Sequence, residues 1–299
     1  MECPALTKRM ILIINPVSGK RMIVRYLPEV IRAFMDAGYL VNTMVTAERG
    51  EATALTMRYC RDCDLIVCAG GDGTMNETIS GLAAVNCTMP LGYIPCGSTN
   101  DFAVSHDLSI DIVEAATNAA AGRVSAYDIG KFEDRYFTYV AAFGAFSAIS
   151  YNTDQNLKNM VGHAAYIMGG LMELSQIKPI PVRFTADSKV YEGDFAFGAV
   201  CNTTSIGGTL ALPDGMVNTA DGILELLLVR MPEDLLELDE VIHGLLEQDY
   251  SSPLLEFVQA KEILVESPNP LEWSLDGEAS GAYTTVHITA VPKFLQLCQ

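Results

Sequence analysis

One run of eight residues, Gly70-Gly71-Asp72-Gly73-Thr74-Met75-Asn76-Glu77, constrains this chain more than any other feature. It follows the apolar stretch Leu65–Ala69 and precedes Thr78–Val85, where Ile79, Leu82 and Val85 recur at helical spacing. The pattern is strand, glycine turn, helix. Glycines permit positive φ and let the backbone approach a ligand closely. The start of a helix offers unpaired N–H groups and a partial positive charge, which suits phosphate. Thr74 and Glu77 stand at capping-box spacing, which sets the helix start there. Asp72 is the odd member, because a carboxylate repels phosphate; it fits a metal ligand, a group that orients water or a proton acceptor. A nucleotide-handling enzyme follows more naturally from this than a passive binder.

The same alternation runs through residues 1–125. Met10–Ile14, Leu40–Val45 and Leu91–Pro95 read as further strands, and Ile23–Phe34, Glu51–Cys60 and Ile110–Ala121 as helices. Such alternation implies a Rossmann-like parallel sheet with helices on both faces. Its ligands sit at the carboxyl ends of the strands, where three Gly/Asn/Asp-rich loops, 15–20, 70–77 and 97–101, should converge. From residue 126 to 299 short strands spaced by turn residues replace the alternation, predicting an antiparallel β-sandwich. Helical inserts are expected near Leu157–Ser175 and Glu233–Leu246, the latter starting at Pro232. The fold class is thus α/β plus β, in two domains, 1–125 and 126–299, with a return of the last residues to the first domain left open.

Composition narrows the partners. Hydrophobic residues make up 49% of the 299, enough for a sizeable core, and the 37 acidic against 19 basic residues give a net charge of −18. That excess argues against nucleic acid and against simple electrostatic docking on anionic membranes. Cys60 and Cys63 form a C-x-x-C without a second pair at metal-site spacing, so zinc is not expected and the eight cysteines read as reduced thiols of a cytoplasmic protein. The first ten residues lack the apolar core of a signal peptide, and no stretch makes a convincing membrane span. His106, His163, His243 and His287 show no catalytic partner spacing.

A second loop, Pro95-Cys96-Gly97-Ser98-Thr99-Asn100-Asp101-Phe102-Ala103, has the make-up of the first, and by itself reads equally as an N-capped turn. The combination of Asn15-Pro16-x-Ser18-Gly19, Gly70–Glu77 and Gly97-Ser98-x-Asn100-Asp101-Phe102-Ala103 resembles the diacylglycerol kinase catalytic family, and within it the soluble bacterial lipid kinases. The resemblance continues through Asp128-Ile129-Gly130, Asp221-Gly222 and Asp276-Gly277-Glu278, so it spans nearly the whole chain. Gly-Gly-Asp-Gly-Thr alone is shared with NAD kinases; the Asn15-Pro16 and Asn100–Ala103 elements favour lipid kinases. Ser98 stands where the family often has Thr, and the hydroxyl is kept.

The resemblance implies transfer of phosphate from ATP to a lipid hydroxyl, with ATP in a cleft between the domains. It casts Asn15, Pro16, Ser18, Gly19, Lys20, Thr46, Gly70, Gly71, Asp72, Gly73, Thr74, Asn76 and Ser98 as nucleotide-binding. Thr46 reads equally as a strand end, and Lys20 belongs to no Walker A loop. Asp72, Asp101 and Asp128 are cast as a network holding catalytic Mg²⁺, partly through water, since three carboxylates near a triphosphate need a cation between them. Glu278 is cast as general base, although Asp-Gly between strands is also the commonest hairpin turn. A second, structural Mg²⁺ would involve Asn218, Asp221 and the carbonyl of Ile223, with Asp214 nearby; a simple turn is the other reading. The acceptor would be diacylglycerol or a similar lipid, reached by transient, peripheral contact with a membrane surface, and a homodimer through the β domain stays open. The rival readings are an NAD kinase-like enzyme and a non-catalytic nucleotide or lipid sensor.

Overall fold

The structure, a computed structural model, describes residues 7–98, 100–144, 178–206, 210–212 and 215–299. The expected helix at Leu157–Ser175, with His163 and its methionines, lies outside them, as do Thr99 and Asp214. The chain divides into two units, Met1–Ile129 with Val291–Gln299, and Gly130–Ala290. Set against the expected border at 125/126, the first unit keeps four more residues and takes back the last nine. Among the described residues no helix is long and apolar enough to cross a membrane.

In the first unit, β1 (Lys8–Ile14), β2 (Tyr39–Val45), β3 (Leu65–Gly70) and β4 (Pro90–Pro95) lie in the order β4-β3-β1-β2. All three ladders are parallel, and the end of β15 (Glu278–Cys298) adds a further parallel strand beside β4, pairing Gln296–Cys298 with Pro90–Gly92. The connecting helices are α1 (Met22–Asp36), α2 (Glu51–Tyr59), α3 (Asp72–Ala84), the short α4 (Asp101–Ser105) and α5 (Ile112–Ala121). Alternate residues of β1 and β3 bury toward α1 and α5, with Met10, Leu12, Leu65 and Val67 meeting Ile23, Val30, Phe34 and Ala116. Each large side chain removed from water in this way stabilises by about 1.5–3 kcal/mol. The intervening Ile11, Ile13, Ile66 and Cys68 are also buried, Cys68 against Thr78 of α3. Strands covered on both faces read as continuous apolar runs, as these do. The parallel pattern stops at β5 (Val124–Phe132), which turns back on β6 (Arg135–Phe137) as an antiparallel hairpin.

The second unit contains β7 (Val140–Gly144), β8 (Ile180–Ala186), β9 (Lys189–Cys201), the small β10–β11 hairpin (Ser205–Ile206, Leu210–Ala211), β12 (Leu224–Arg230), β13 (Leu255–Ala260) and β14 (Glu262–Leu275). Among the described residues its ladders are antiparallel. The long strands β9 and β14 each pair with β8 through one half and with β7 through the other, which closes a circuit of hydrogen bonds around Phe143, Phe184, Phe195 and Trp273. A closed circuit removes strand edges that would otherwise be open to mispairing. β14 runs through Pro268 and Pro270 as one strand, with a register shift between Glu266 and Leu271. Leu227 and Val229 of β12 face a second core with Val241 of α6 (Leu235–Glu247). That helix starts later than expected, at an Asp234 cap whose carboxylate accepts from Leu236 and Glu237 N–H, so Pro232 lies outside it.

Candidate active site

Register explains why three loops meet in the first unit. Ile14 pairs with Ala69 and Gly70 with Pro95, so β1, β3 and β4 release their loops at one edge. The contact is backbone against backbone. A Cβ on Gly97 would stand 2.8 Å from the Gly71 Cα, and one on Gly71 would stand 3.3 Å from Ser18 Oγ. Gly19 adopts φ 51° with its Cα side pressed on the Cys96 carbonyl, where a Cβ would come within 2.3 Å. The positive φ expected in the 70–73 turn is therefore found at Gly19 instead; Gly71 is extended at φ −93° and ψ −174°. Glycine serves that turn by leaving room for neighbouring loops.

Hydrogen bonds tie the loops together. Asn15 Nδ2 donates to Thr74 Oγ1 at 3.1 Å, and its Oδ1 accepts from Val17 N–H. Cys96 N–H donates to the Gly70 carbonyl at 2.7 Å. Asp72 accepts from Asp101 N–H and Phe102 N–H, both at 3.1 Å, and so clamps the start of α4. Asn100 stands at the N-cap position of that helix, but it is left-handed at φ 56° and its side chain folds back on Gly97 rather than capping. Burial pushes the Asp72 carboxyl above its usual range, the Phe102 N–H pulls it down, and the charge of Asp101 pushes it up again.

The capping box does not form. The N-cap of α3 is Gly71, which puts Thr74 inside the first turn, and no side chain caps this end. Glu77 reaches instead to the start of α2, accepting from Gly50 N–H at 2.8 Å and Ala52 N–H at 3.2 Å. Thr46 donates its hydroxyl and its N–H to the Ile14 carbonyl, which is the strand-end role. Asn76 accepts from Ser80 Oγ, and Lys20 and Ser98 are exposed. Asp128 is buried and accepts from Lys293 N–H at 2.6 Å, a partner supplied by the returning C-terminal segment. Buried His106 lies between the rings of Phe102 and Tyr127, and burial lowers its pKa to about 4. Among the described residues no group of three or more His, Cys, Asp or Glu is arranged to hold a metal directly.

In the second unit, Asp276 and Gly277 take φ 46° and 81° between paired Leu275 and Glu278, a two-residue hairpin of the primed kind. Glu278 is half-buried at the start of β15. The sequence reading gave Asp276 no task beyond the turn, yet its carboxylate accepts from Thr138 N–H and Oγ1, Tyr139 N–H and Val140 N–H. Glu77 and Asp276 share one missed signal: an acidic residue beside a turn whose acceptors have no local donor to use. Asn218 and Asp221 are exposed and close their own small turns, accepting from Ala220 and Ile223 N–H, which is the simple-turn reading of that segment.

Residues 9–132 match the diacylglycerol kinase catalytic domain, and residues 140–299 match the YegS C-terminal NAD kinase beta sandwich-like domain. The chain is 34% identical to a diacylglycerol kinase of Bacillus subtilis (strain 168) over 278 residues, covering 92% of this chain and 91% of the relative. It belongs to the diacylglycerol kinase family. A diacylglycerol kinase of Staphylococcus saprophyticus is likewise 34% identical over 279 residues, covering 92% of this chain and 90% of its own. The crystal structure of a diacylglycerol kinase from Bacillus anthracis superposes with a TM-score of 0.78 at 25% identity, covering 97% of this chain and 96% of that one. The chain is accordingly a kinase with the two-domain, strand-rich C-terminal architecture of its family, and its relatives support lipid kinase activity.

Proposed function

We propose that this kinase transfers the γ-phosphoryl group of ATP to a lipid hydroxyl, diacylglycerol being the acceptor that the names of its relatives favour. The observation that carries the reading is the backbone contact between Gly71, Gly97 and the Asn15–Gly19 loop. It brings three glycine-bearing loops to the start of α3, an end that no side chain caps and whose first N–H groups suit phosphate. Asn15, Ser18, Gly19, Lys20, Gly70–Asn76 and Ser98 are the nucleotide-binding set, with Thr46 at its edge through the strand end.

Mg²⁺ suits the carboxylates of this unit. Asp72 accepts one N–H at each oxygen, which leaves each oxygen further acceptor capacity, and the nearby Asp101 charge raises its pKa, a repulsion that a cation relieves. Among the described residues no three carboxylates are grouped for direct ligation, so the ion would be held partly through water, with phosphate oxygens completing its shell. Asp72, Asp101 and Asp128 are the residues that would hold it. Bound there, the ion offsets charge on the transferring phosphoryl group. Glu278 accepts the proton of the acceptor hydroxyl as the new P–O bond forms and ADP leaves.

Membrane contact has support in charge distribution. Residues 3–28 carry five of the 19 basic residues and none of the 37 acidic ones. Lys20, Arg21 and Arg25 are exposed there beside exposed Val17, Met22 and Val24. Cations interleaved with apolar side chains suit an anionic, hydrocarbon-backed surface.

The test is incubation with ATP and Mg²⁺ in the presence of diacylglycerol, phosphatidylglycerol, a sphingoid base or NAD, with products read by mass spectrometry. Phosphorylated lipid is expected. Phosphorylated NAD would overturn the lipid reading, and ATP binding without transfer to any acceptor would leave a sensor.

A further inference from the structure

Deepening the reading of Glu278 as proton acceptor, on which it rests, we propose that Asp276 is a positioning residue that fixes the base through the turn between them. A hairpin turn residue is ordinarily exposed. Asp276 is 5% exposed and satisfies four donors from one short segment: Oδ2 accepts from Thr138 N–H at 2.7 Å and Thr138 Oγ1 at 2.8 Å, and Oδ1 accepts from Tyr139 and Val140 N–H, both at 3.0 Å. Its own N–H donates to the Val140 carbonyl at 2.8 Å. The next residue along, Ala141, pairs with Leu275, and Leu275 pairs with Glu278. The strand that carries the base is thereby referenced to β7 at the ladder's last rung.

The far side of Glu278 is pinned as well. Ser274 pairs with Ala279 and Trp273 with Gly281, so Ser280 is an extra residue, a β-bulge. Arg135 holds the bulge by donating to the Ser280 carbonyl and hydroxyl at 3.2 and 2.7 Å. Bulges re-aim neighbouring side chains. Glu278 and Ala279 thus stand between two fixed points, one a buried carboxylate and one an arginine-held bulge. Burying a carboxylate is costly unless its acceptors are filled, and a hairpin alone would be served by an exposed Asn-Gly. Asparagine could not take over here, because it has one acceptor oxygen, and its NH₂ would face N–H donors.

Thr138→Val tests this with least disturbance, since it removes only the hydroxyl donor. Steady-state rates are measured with diacylglycerol and ATP, alone and in a Glu278→Gln background, at a temperature where circular dichroism shows every variant folded. Thr138→Val should lower kcat about 3–10-fold, in line with the sensitivity of a positioned group to small displacements, with the KM for ATP unchanged within about twofold. In the Glu278→Gln background the same substitution should cost nothing further, because groups that act as a unit are non-additive. Asp276→Asn should behave likewise with a larger loss; where it does not fold, Thr138→Val carries the test. An equal loss in both backgrounds would make Asp276 merely structural, and no loss beside intact Glu278 would end the proposal. A Glu278→Gln variant with full kcat would remove the base reading and this proposal together, an outcome the single variant distinguishes from the other two.

Discussion

Asp72 in the first unit and Asp276 in the second both bind backbone N–H groups of a segment far away in sequence. They differ in what is left over. Asp72 takes two N–H groups, one per oxygen, with the like charge of Asp101 close by. Asp276 takes four donors from one segment, and burial raises its pKa while those hydrogen bonds lower it. A carboxylate with spare acceptor capacity beside another anion can serve a cation; a saturated one can only hold a shape. On the proposed reading, the same side chain marks a chemical corner in one unit and a mechanical one in the other.

Replacing the spare-capacity carboxylate should have the largest effect. Asp72→Ala is expected to abolish measurable phosphoryl transfer, a loss of about 10³-fold or more, as for removal of a main electrostatic element. Because it also unclamps α4, it should lower stability by roughly 1–2 kcal/mol, the usual value of a lost cap. Activity within tenfold of the parent would erase the contrast between the two aspartates. Next is Glu278→Gln, expected to lower kcat by about 10²–10⁴-fold with ATP affinity kept; an unchanged kcat would return Glu278 to the hairpin. Gly97→Ala should come third. Its Cβ would meet Gly71 backbone at 2.8 Å, so the loops must part, and the KM for ATP should rise with a stability loss of about 1–3 kcal/mol, as in overpacked sites. Nucleotide affinity unchanged in a folded variant would separate the loop contact from ATP binding.

The smallest effect sharpens the comparison through pH. Burial raises the folded-state pKa of Asp276 above that of the unfolded chain. The folded state then holds the proton more tightly, so this group's contribution is fully present below the unfolded pKa and is lost as pH rises through the folded one. Denaturant unfolding of parent and Asp276→Asn should show the parent's advantage growing as pH falls from about 7 to about 4, the ordinary carboxylate range. An advantage that shrinks on acidification would mean that the hydrogen bonds outweigh burial.

Much of this was legible because it is periodic or local. The βα alternation, the glycine turn and the Asp276-Gly277 hairpin are read from spacing alone, and of Ile23, Leu27, Val30, Ile31 and Phe34, which share one face of α1 by spacing, Ile23, Val30 and Phe34 are buried. The errors share a cause. Thr74 and Glu77 satisfy a local capping rule, but Glu77 had a better use 25–27 residues earlier, at the start of α2. Asn100 looked like a cap and was displaced by Asp72, 29 residues before the N–H it serves. Asp72 seemed anomalous beside phosphate because its donors lie on another loop. Long-range acceptors are chosen by which backbones the fold brings near, and no window on the sequence contains both partners.

Val291–Gln299 completes the first unit, laying Gln296–Cys298 along β4 and giving Asp128 its Lys293 N–H. During synthesis, then, one buried carboxylate, Asp128, and one sheet edge must wait until all of Gly130–Ala290 has been made. A half-made chain has its glycine loops but no finished neighbour for β4, so the sheet of the first unit is complete only once the inserted unit has been made.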